Sequence, residues 1–462
     1  MNKLLKTLAS SAALPLAVGS CATIPEKNCM PPDCERAEMV FSQTGAYSET
    51  LWHNNYNLDE SKVPEYTLPP IVSKTAKEWE TEERPKVLQQ FKDILYGQMP
   101  GTPEKMELEL LAERDDALEG LAIRKEIRIH CYNNGKHFDY DMMVYIPKSA
   151  KTPPPVFVGL NFSGNQANTP DMDVRMTRGM YMNKERKVVP FTDKYRGNRL
   201  DSWNFIEAMK RGYAVATACY WEICPDYMTG VKISPFTLFY DEKDLRMDFE
   251  VPFAELRGLK WQRPVSIIGA WAWGLSRMLD ALEREPLVDS KRAAVVGHSR
   301  LGKTALWAGA CDERFKLVIS NNSGCCGASL SRRCFGENLE IAYWEQRGWY
   351  AGGLAQYICH PDKMPIDQHQ LLALIAPRTL CVASATEDQN ADPKGEFLAT
   401  KAASPAWRLY GLKGLDENQE MPAPDTPIGT DLCYHLRTGK HAITAKDWEC
   451  YYKIADRIFP DK

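Results

Sequence analysis

An α/β fold, a three-layer α/β/α sandwich around a mostly parallel central sheet, is what the order of elements in this 462-residue sequence predicts. Two observations carry that expectation. Short, continuously apolar runs bounded by turn residues recur along the chain, as strands buried on both faces should. Between them lie stretches with helical apolar spacing, and strand-helix alternation feeds right-handed crossovers that put helices on both sides of a sheet.

In chain order, residues 1–20 read as a secretory signal of the lipoprotein type: Lys3 and Lys6, an apolar stretch from Leu8 to Val18, then Gly19-Ser20-Cys21. The apolar run is too short to span a bilayer, and Val18-Gly19-Ser20-Cys21 resembles a bacterial lipobox with Cys21 as the acylated first residue. Residues 21–55 are polar and aperiodic, which suits a tether. From 56 to 462 one domain is expected, since neither a repeat nor a long linker interrupts it. Its strands are expected at Val156–Phe162, Tyr213–Tyr220, Ala293–Val296, Leu317–Ser320 and Thr379–Ala385, and its helices at Ile267–Leu282 and Gly302–Ala310. In such sheets, sites lie beyond the carboxyl ends of the strands.

Composition narrows the possibilities. Lys and Arg number 57 against 61 Asp and Glu, a net charge of −4, so the basic excess that phosphate neutralisation requires is missing and no nucleic-acid partner is expected. With 44% hydrophobic residues the chain can bury a large core. Fourteen cysteines in 462 residues are too few for a disulfide scaffold. Export would permit bridges, with Cys29 and Cys34 the easiest local pair, whereas Cys219 and Cys381 sit in apolar runs and read as buried thiols. Vicinal Cys325-Cys326 could bridge only with strain. No His-Glu-x-x-His or paired Cys-x-x-Cys spacing occurs, so no metal or cofactor is expected.

Chemistry concentrates after the third expected strand. Ala293 to Lys303 reads as strand, tight turn and helix start, with Ser299 at the tip. A serine there has its hydroxyl exposed and the positive helix end behind it, which suits a nucleophile; a helix-capping serine is the plainer account. The hydrolase elbow is usually Gly-x-Ser-x-Gly, and here Leu301 replaces the second glycine, with Gly302 one place later. A serine nucleophile needs a base and an acid that orients it. His441, in a polar loop before the C-terminal helix, stands where an α/β-hydrolase chain, ordered serine, acid, histidine, puts its base. Asp388 or Glu387, emerging after Thr379–Ala385, can supply the acid.

Gly297-His298-Ser299-Arg300-Leu301-Gly302-Lys303 is similar to the signature of the glucuronoyl esterases, carbohydrate esterase family 15. Ser331-Arg332-Arg333-x-Phe335-Gly336-Glu337, Ala391 to Phe397 and Gly439-Lys440-His441 extend the likeness, which spans roughly residues 55 to 460. The resemblance implies that Ser299 is the nucleophile, that His441 is the base, and that Arg300 joins the oxyanion hole. It also implies that Lys303 and Glu337 bind hydroxyls of a uronic acid ring. The expected activity is hydrolysis, through an acyl-enzyme, of (4-O-methyl-)glucuronic acid esters on plant hemicellulose, by an exported monomer whose membrane contact is a lipid at Cys21. A carbohydrate acetyl esterase on the same fold and a decayed glycan-binding protein are the alternatives.

Two positions depart from the family pattern. Many members carry a catalytic glutamate just before Ser-Gly, where this chain has Asn322, so the acid must come from the later segment; some bacterial relatives have one at the place of Asp388. Asn390 replaces a tryptophan that in relatives helps to wall the sugar pocket, so a weaker stacking surface is expected.

Overall fold

The computed structural model describes residues 56–182, 188–246 and 264–460; the expected signal at 1–20, the tether at 21–55 and the Cys29-Cys34 pair lie outside the described residues. The first three strands are β1 (Lys105–Asp116), β2 (Ala122–Asn133) and β3 (Lys136–Pro147), followed by β4 (Val156–Asn161). A small pair, β5 (Met180–Met182) and β6 (Val188–Pro190), stands apart. Then come β7 (Ala214–Cys219), β8 (Ala293–His298), β9 (Phe315–Asn321), β10 (Thr379–Ala385), β11 (Ile428–Gly429) and β12 (Leu432–Arg437). Ten of them form one sheet in the order β1-β2-β3-β7-β4-β8-β9-β10-β12-β11.

From β7 to β12 every pairing is parallel. The five expected strands lie in this central block, within two residues of their expected ends. Connections are helical: α1 (Phe205–Lys210), α2 (Ile267–Leu282), α3 (Arg300–Cys311), α4 (Gln368–Ala373), α5 (Pro393–Arg408) and α6 (Ala445–Ile458). The period of two splits the sheet's side chains between two cores. Val158, Val295, Val318 and Val382 pack with Trp271 of α2 and Trp307 of α3 on one face, whereas Phe157, Val296, Ile319 and Ala383 pack with Met209 of α1 and Trp448 of α6 on the other. The three-layer sandwich follows.

The antiparallel meander β1-β2-β3 was not expected. Asn134-Gly135 joins β2 to β3 with positive φ at both residues (49° and 70°), the backbone a two-residue hairpin turn demands. Strand β12 was also unexpected because its letters are partly polar. His435 and Arg437 are buried in it, and Asp447 of α6 answers them, with Arg437 Nε 2.8 Å from a carboxylate oxygen. On that face Phe157 meets Tyr213, Trp448 and Tyr452 edge-on at 5.1, 5.5 and 5.7 Å between centroids. Those contacts clamp α6 to the sheet, and the loop between β12 and α6 carries His441.

Cys219, Cys381, Cys325 and Cys326 are all free and buried, the vicinal sulfurs 3.8 Å apart; Cys359 is disulfide-bonded. No helix among the described residues is long and apolar enough to cross a membrane.

Candidate active site

Ser299 sits between β8 and α3 at φ 58°, ψ −128°, a strained conformation for a residue with a Cβ. Its side chain makes no capping hydrogen bond, so the plainer account of a helix cap fails. The turn is held by its backbone: Ser299 N–H donates to Asn321 O at 2.8 Å, and Gly302 N–H donates to Ser299 O at 2.8 Å. A Cβ on Gly297 would lie 1.8 Å from Leu301 O, and one on Gly302 would crowd Asn321 O at 3.1 Å. The second glycine is thus required at 302, where α3 passes the end of β9. Position 301 is free to hold a leucine, which points into the core. Gly302 and Lys303 donate to Ser299 O, which leaves the Arg300 and Leu301 N–H groups at the start of α3 without an acceptor in the helix.

His441 Nδ1–H donates to Asp388 Oδ2 at 2.5 Å. That carboxylate is buried, and the same oxygen accepts from Asn322 Nδ2 at 2.8 Å. Glu387, the other expected acid, is exposed; only its backbone touches the site, through a 2.8 Å bond from its N–H to Gly439 O. Of the two candidates, the structure brings Asp388 to the histidine and turns Glu387 away.

His298 lies beside His441, with ring centroids 4.5 Å apart. Its Nδ1–H donates to Asn321 Oδ1 at 2.6 Å, and Asn321 in turn donates to the Tyr451 hydroxyl at 2.8 Å, which fixes the amide. Burial, and then the neighbouring His441, push the His298 imidazole down to about 3, so it stays neutral and adds no repulsion when His441 takes a proton. Ser299, His298, Arg300, His441, Phe162 and Trp203 share the wall of one cavity of about 340 Å³.

Arg300 pairs with Asp226, whose side chain is 4% exposed. Trp349 Nε1–H donates to the other Asp226 oxygen at 2.6 Å, and the Trp349 ring lies 4.6 Å from the guanidinium. Burial opposes the Arg300 charge, but Asp226, together with Tyr220 and Glu337, outweighs it, and the guanidinium is raised above its ordinary value. Lys303, one helical turn along α3, is buried; its Nζ donates to Ser323 O at 2.7 Å and stands 3.7 Å from Glu337 Oε2. Neither Lys303 nor Glu337 lines that cavity, and Lys303 Nζ stands 5.8 Å from the centre of the Trp349 ring. Asn390 is exposed and contributes a carbonyl, which accepts from Glu337 N–H at 2.9 Å. The aromatic surface beside the two cations comes from Trp349, not from position 390.

Sequence reasoning missed four participants. In sequence Asn322 looks like no more than a lost acid, yet its Nδ2 is the donor that holds Asp388. Asp226 and Trp349, which fix Arg300, look in sequence like a turn acid and a core aromatic. Glu396 of α5 is fully buried and accepts from Gly324 N–H at 2.9 Å, pinning the Ser323-Gly324 loop that holds Lys303. Burial overrides its hydrogen bonds and pushes its carboxyl up to about 8.

Comparisons with known proteins identify the family. The family model described as "Glucuronyl esterase, fungi" matches residues 259–411, a stretch that holds Ser299, Arg300, Lys303, Glu337 and Asp388. A prokaryotic protein named carbohydrate esterase MZ0003 is 40% identical over 412 residues, 87% of this chain and 91% of that one. The chain belongs to carbohydrate esterase family 15, the glucuronoyl esterases. A solved glucuronoyl esterase from Solibacter usitatus superposes with a TM-score of 0.78 at 37% identity, over 86% of this chain and 99% of that one. A 4-O-methyl-glucuronoyl methylesterase of Hypocrea jecorina is 36% identical over 155 residues, 31% of this chain and 33% of that protein. Membership makes the chain a carboxylic ester hydrolase with the α/β-hydrolase fold.

Proposed function

We propose that the protein is a serine esterase that cleaves esters of (4-O-methyl-)glucuronic acid in plant hemicellulose, including those to lignin-type alcohols. The observation that carries this reading is the 2.5 Å bond between His441 and Asp388 beside a serine strained at an elbow, with both Ser299 and His441 in the wall of one cavity.

In this reading His441 takes the Ser299 proton as the hydroxyl attacks the ester carbonyl, and Asp388 holds the imidazole in the productive tautomer and stabilises its cation. Arg300, kept charged by Asp226, and the first N–H groups of α3 receive the oxyanion. Protonated His441 passes its proton to the departing alcohol, leaving an acyl-enzyme, and then activates water to release the uronic acid. Lys303 and Glu337 bind ring hydroxyls of the acid half. The cavity with Phe162 and Trp203 in its wall receives the alcohol half. No cofactor takes part. An exported monomer anchored at Cys21 suits a polymer-derived substrate.

The test compares the wild type with Ser299→Ala on benzyl glucuronate, methyl galacturonate and acetylated xylan. Serine-dependent turnover with preference for benzyl glucuronate is expected. Preference for acetylated xylan would make the protein an acetyl esterase, and no serine-dependent turnover on any of them would leave a glycan binder.

A further inference from the structure

Far from Ser299 in the strand order, the exposed face of the β1-β2-β3 meander brings together side chains that the esterase chemistry does not use. His130 on β2 lies directly opposite Asp139 on β3, and Tyr132 opposite His137, so His130, His137 and Asp139 share one face of the pair. His130 Nδ1 and His137 Nε2 are 2.9 Å apart, His137 Nε2 is 3.7 Å from Asp139 Oδ2, and the three candidate ligand atoms all lie within 4.8 Å of one another. Solvent reaches them: the side chains of His130, His137 and Asp139 are 20%, 40% and 21% exposed.

A second observation concerns the atoms pointing away from that centre. His130 Nε2 is 3.2 Å from Glu109 Oε2 on β1, so its N–H is directed to a carboxylate and its Nδ1 lone pair faces inward. This is the arrangement that orients metal-ligating histidines and raises their basicity. Asp139 is similarly oriented, since Arg178 pairs with Oδ1 and leaves Oδ2 toward His137. The His137 ring is stacked on Tyr132, with centroids 4.7 Å apart, which fixes its plane.

We propose that His130, His137 and Asp139 form a binding site for a divalent transition-metal ion of the zinc type, with water in the fourth position. Two imidazole nitrogens and one carboxylate oxygen suit such an ion, whereas calcium or magnesium would call for an all-oxygen set. Nitrogens bound to one tetrahedral ion at 2.0–2.1 Å stand about 3.3 Å apart. The pair at 2.9 Å therefore needs only a small ring rotation, with the His137 proton moving to its Nδ1. The ligands come from two strands, and the spacing His130 to His137 reflects the hairpin between them, so no contiguous motif marks the site. A bound ion would tie the ends of β2 and β3 together on the side of the sheet where β8 ends.

The experiment uses the full protein without a polyhistidine tag, stripped of metal by chelator and titrated with zinc by calorimetry. One site per chain is expected, with affinity reduced at least tenfold in His130→Gln and in His137→Gln, both of which keep full esterase activity without metal. A rise in melting temperature with zinc, absent in the variants, is the companion readout. Zinc X-ray absorption on the wild type supplies a measurement that needs no variant: two imidazoles and oxygen in the first coordination sphere are expected, and sulfur ligation would overturn the site. Zinc binding unchanged in both variants, no zinc binding, or stronger binding of calcium than of zinc would each overturn it as well. Because esterase activity is read separately, its outcome does not bear on this result.

Discussion

Replacing Asp388 with asparagine isolates the charge that the proposed mechanism assigns to it. In the wild type one buried carboxylate oxygen accepts from His441 Nδ1 at 2.5 Å and from Asn322 Nδ2 at 2.8 Å. During the reaction the imidazole becomes cationic, and a carboxylate about 4 Å from that charge stabilises it by roughly 4 kcal/mol at an effective dielectric constant near 20. That is about three orders of magnitude in rate. An amide can also offer an N–H where the histidine needs an acceptor and so stabilise the wrong tautomer, which raises the expected loss to roughly 10⁴-fold. The assay is kcat and KM on benzyl glucuronate for Asp388→Asn beside Glu387→Gln. A loss of 10³- to 10⁴-fold in kcat with KM little changed is expected for the first. For the second the change should stay within twofold, because the exposed Glu387 meets the site only through its backbone. Activity of Asp388→Asn within tenfold of wild type, or a large loss in Glu387→Gln, would refute the reasoning.

Other residues give distinct signatures. Asn322→Ala removes one donor from a charged acceptor, worth about 1.5–3 kcal/mol, so kcat on benzyl glucuronate should fall roughly 10- to 100-fold with KM little changed. Asp226→Asn leaves Arg300 without its counter-charge; kcat should fall, with stopped-flow acylation slowed more than substrate binding. Glu396→Gln tests pH-dependent stability. The carboxyl is raised from 4.5 to about 8 in the fold, so its contribution is complete below pH 4.5 and is lost as pH rises through about 8. The wild-type melting temperature should therefore drop between pH 6 and pH 9, and the drop should be smaller in Glu396→Gln, measured by calorimetry.

How much could be read from sequence depended on how each element is buried. Strands covered by helices on both faces, such as Val156–Asn161 and Thr379–Ala385, write continuous apolar runs and were legible almost to the residue. Strand β2 alternates buried and half-exposed positions, and its twelve residues include Arg124, Lys125, Glu126 and Arg128, so a search for apolar runs passes over it. Strand β12 was hidden for another reason, since the Asp447 carboxylate that pairs with Arg437 and stands 3.6 Å from His435 arrives from α6 and is invisible locally. At the site, Ser299, Asp388 and His441 were legible because the fold dictates where along the chain each must fall. Asp226 and Trp349 were not, because Arg300 and Asp226 are 74 residues apart and Asp226 and Trp349 are 123 apart.

The exchange of acid for amide at position 322 is intelligible from the register of two neighbouring strands. Asn321 lies opposite Ala383 in the β9-β10 pair, and Asn322 N–H donates to Ala383 O at 2.7 Å, so the residues just past these strand ends converge. Asn322 and Asp388 touch at 2.8 Å, which means that a carboxylate from either strand end can occupy the same place beside His441. Two carboxylates there would repel, and one would be driven to take a proton and lose the charge the imidazolium requires. With the charge supplied from the β10 side, the best residue at 322 is a neutral donor of similar size, and asparagine provides the N–H that holds the Asp388 carboxylate in place. In the proposed mechanism, the departure at Asn322 from the pattern that the resemblance implies keeps one negative charge beside His441 and supplies it from the β10 side.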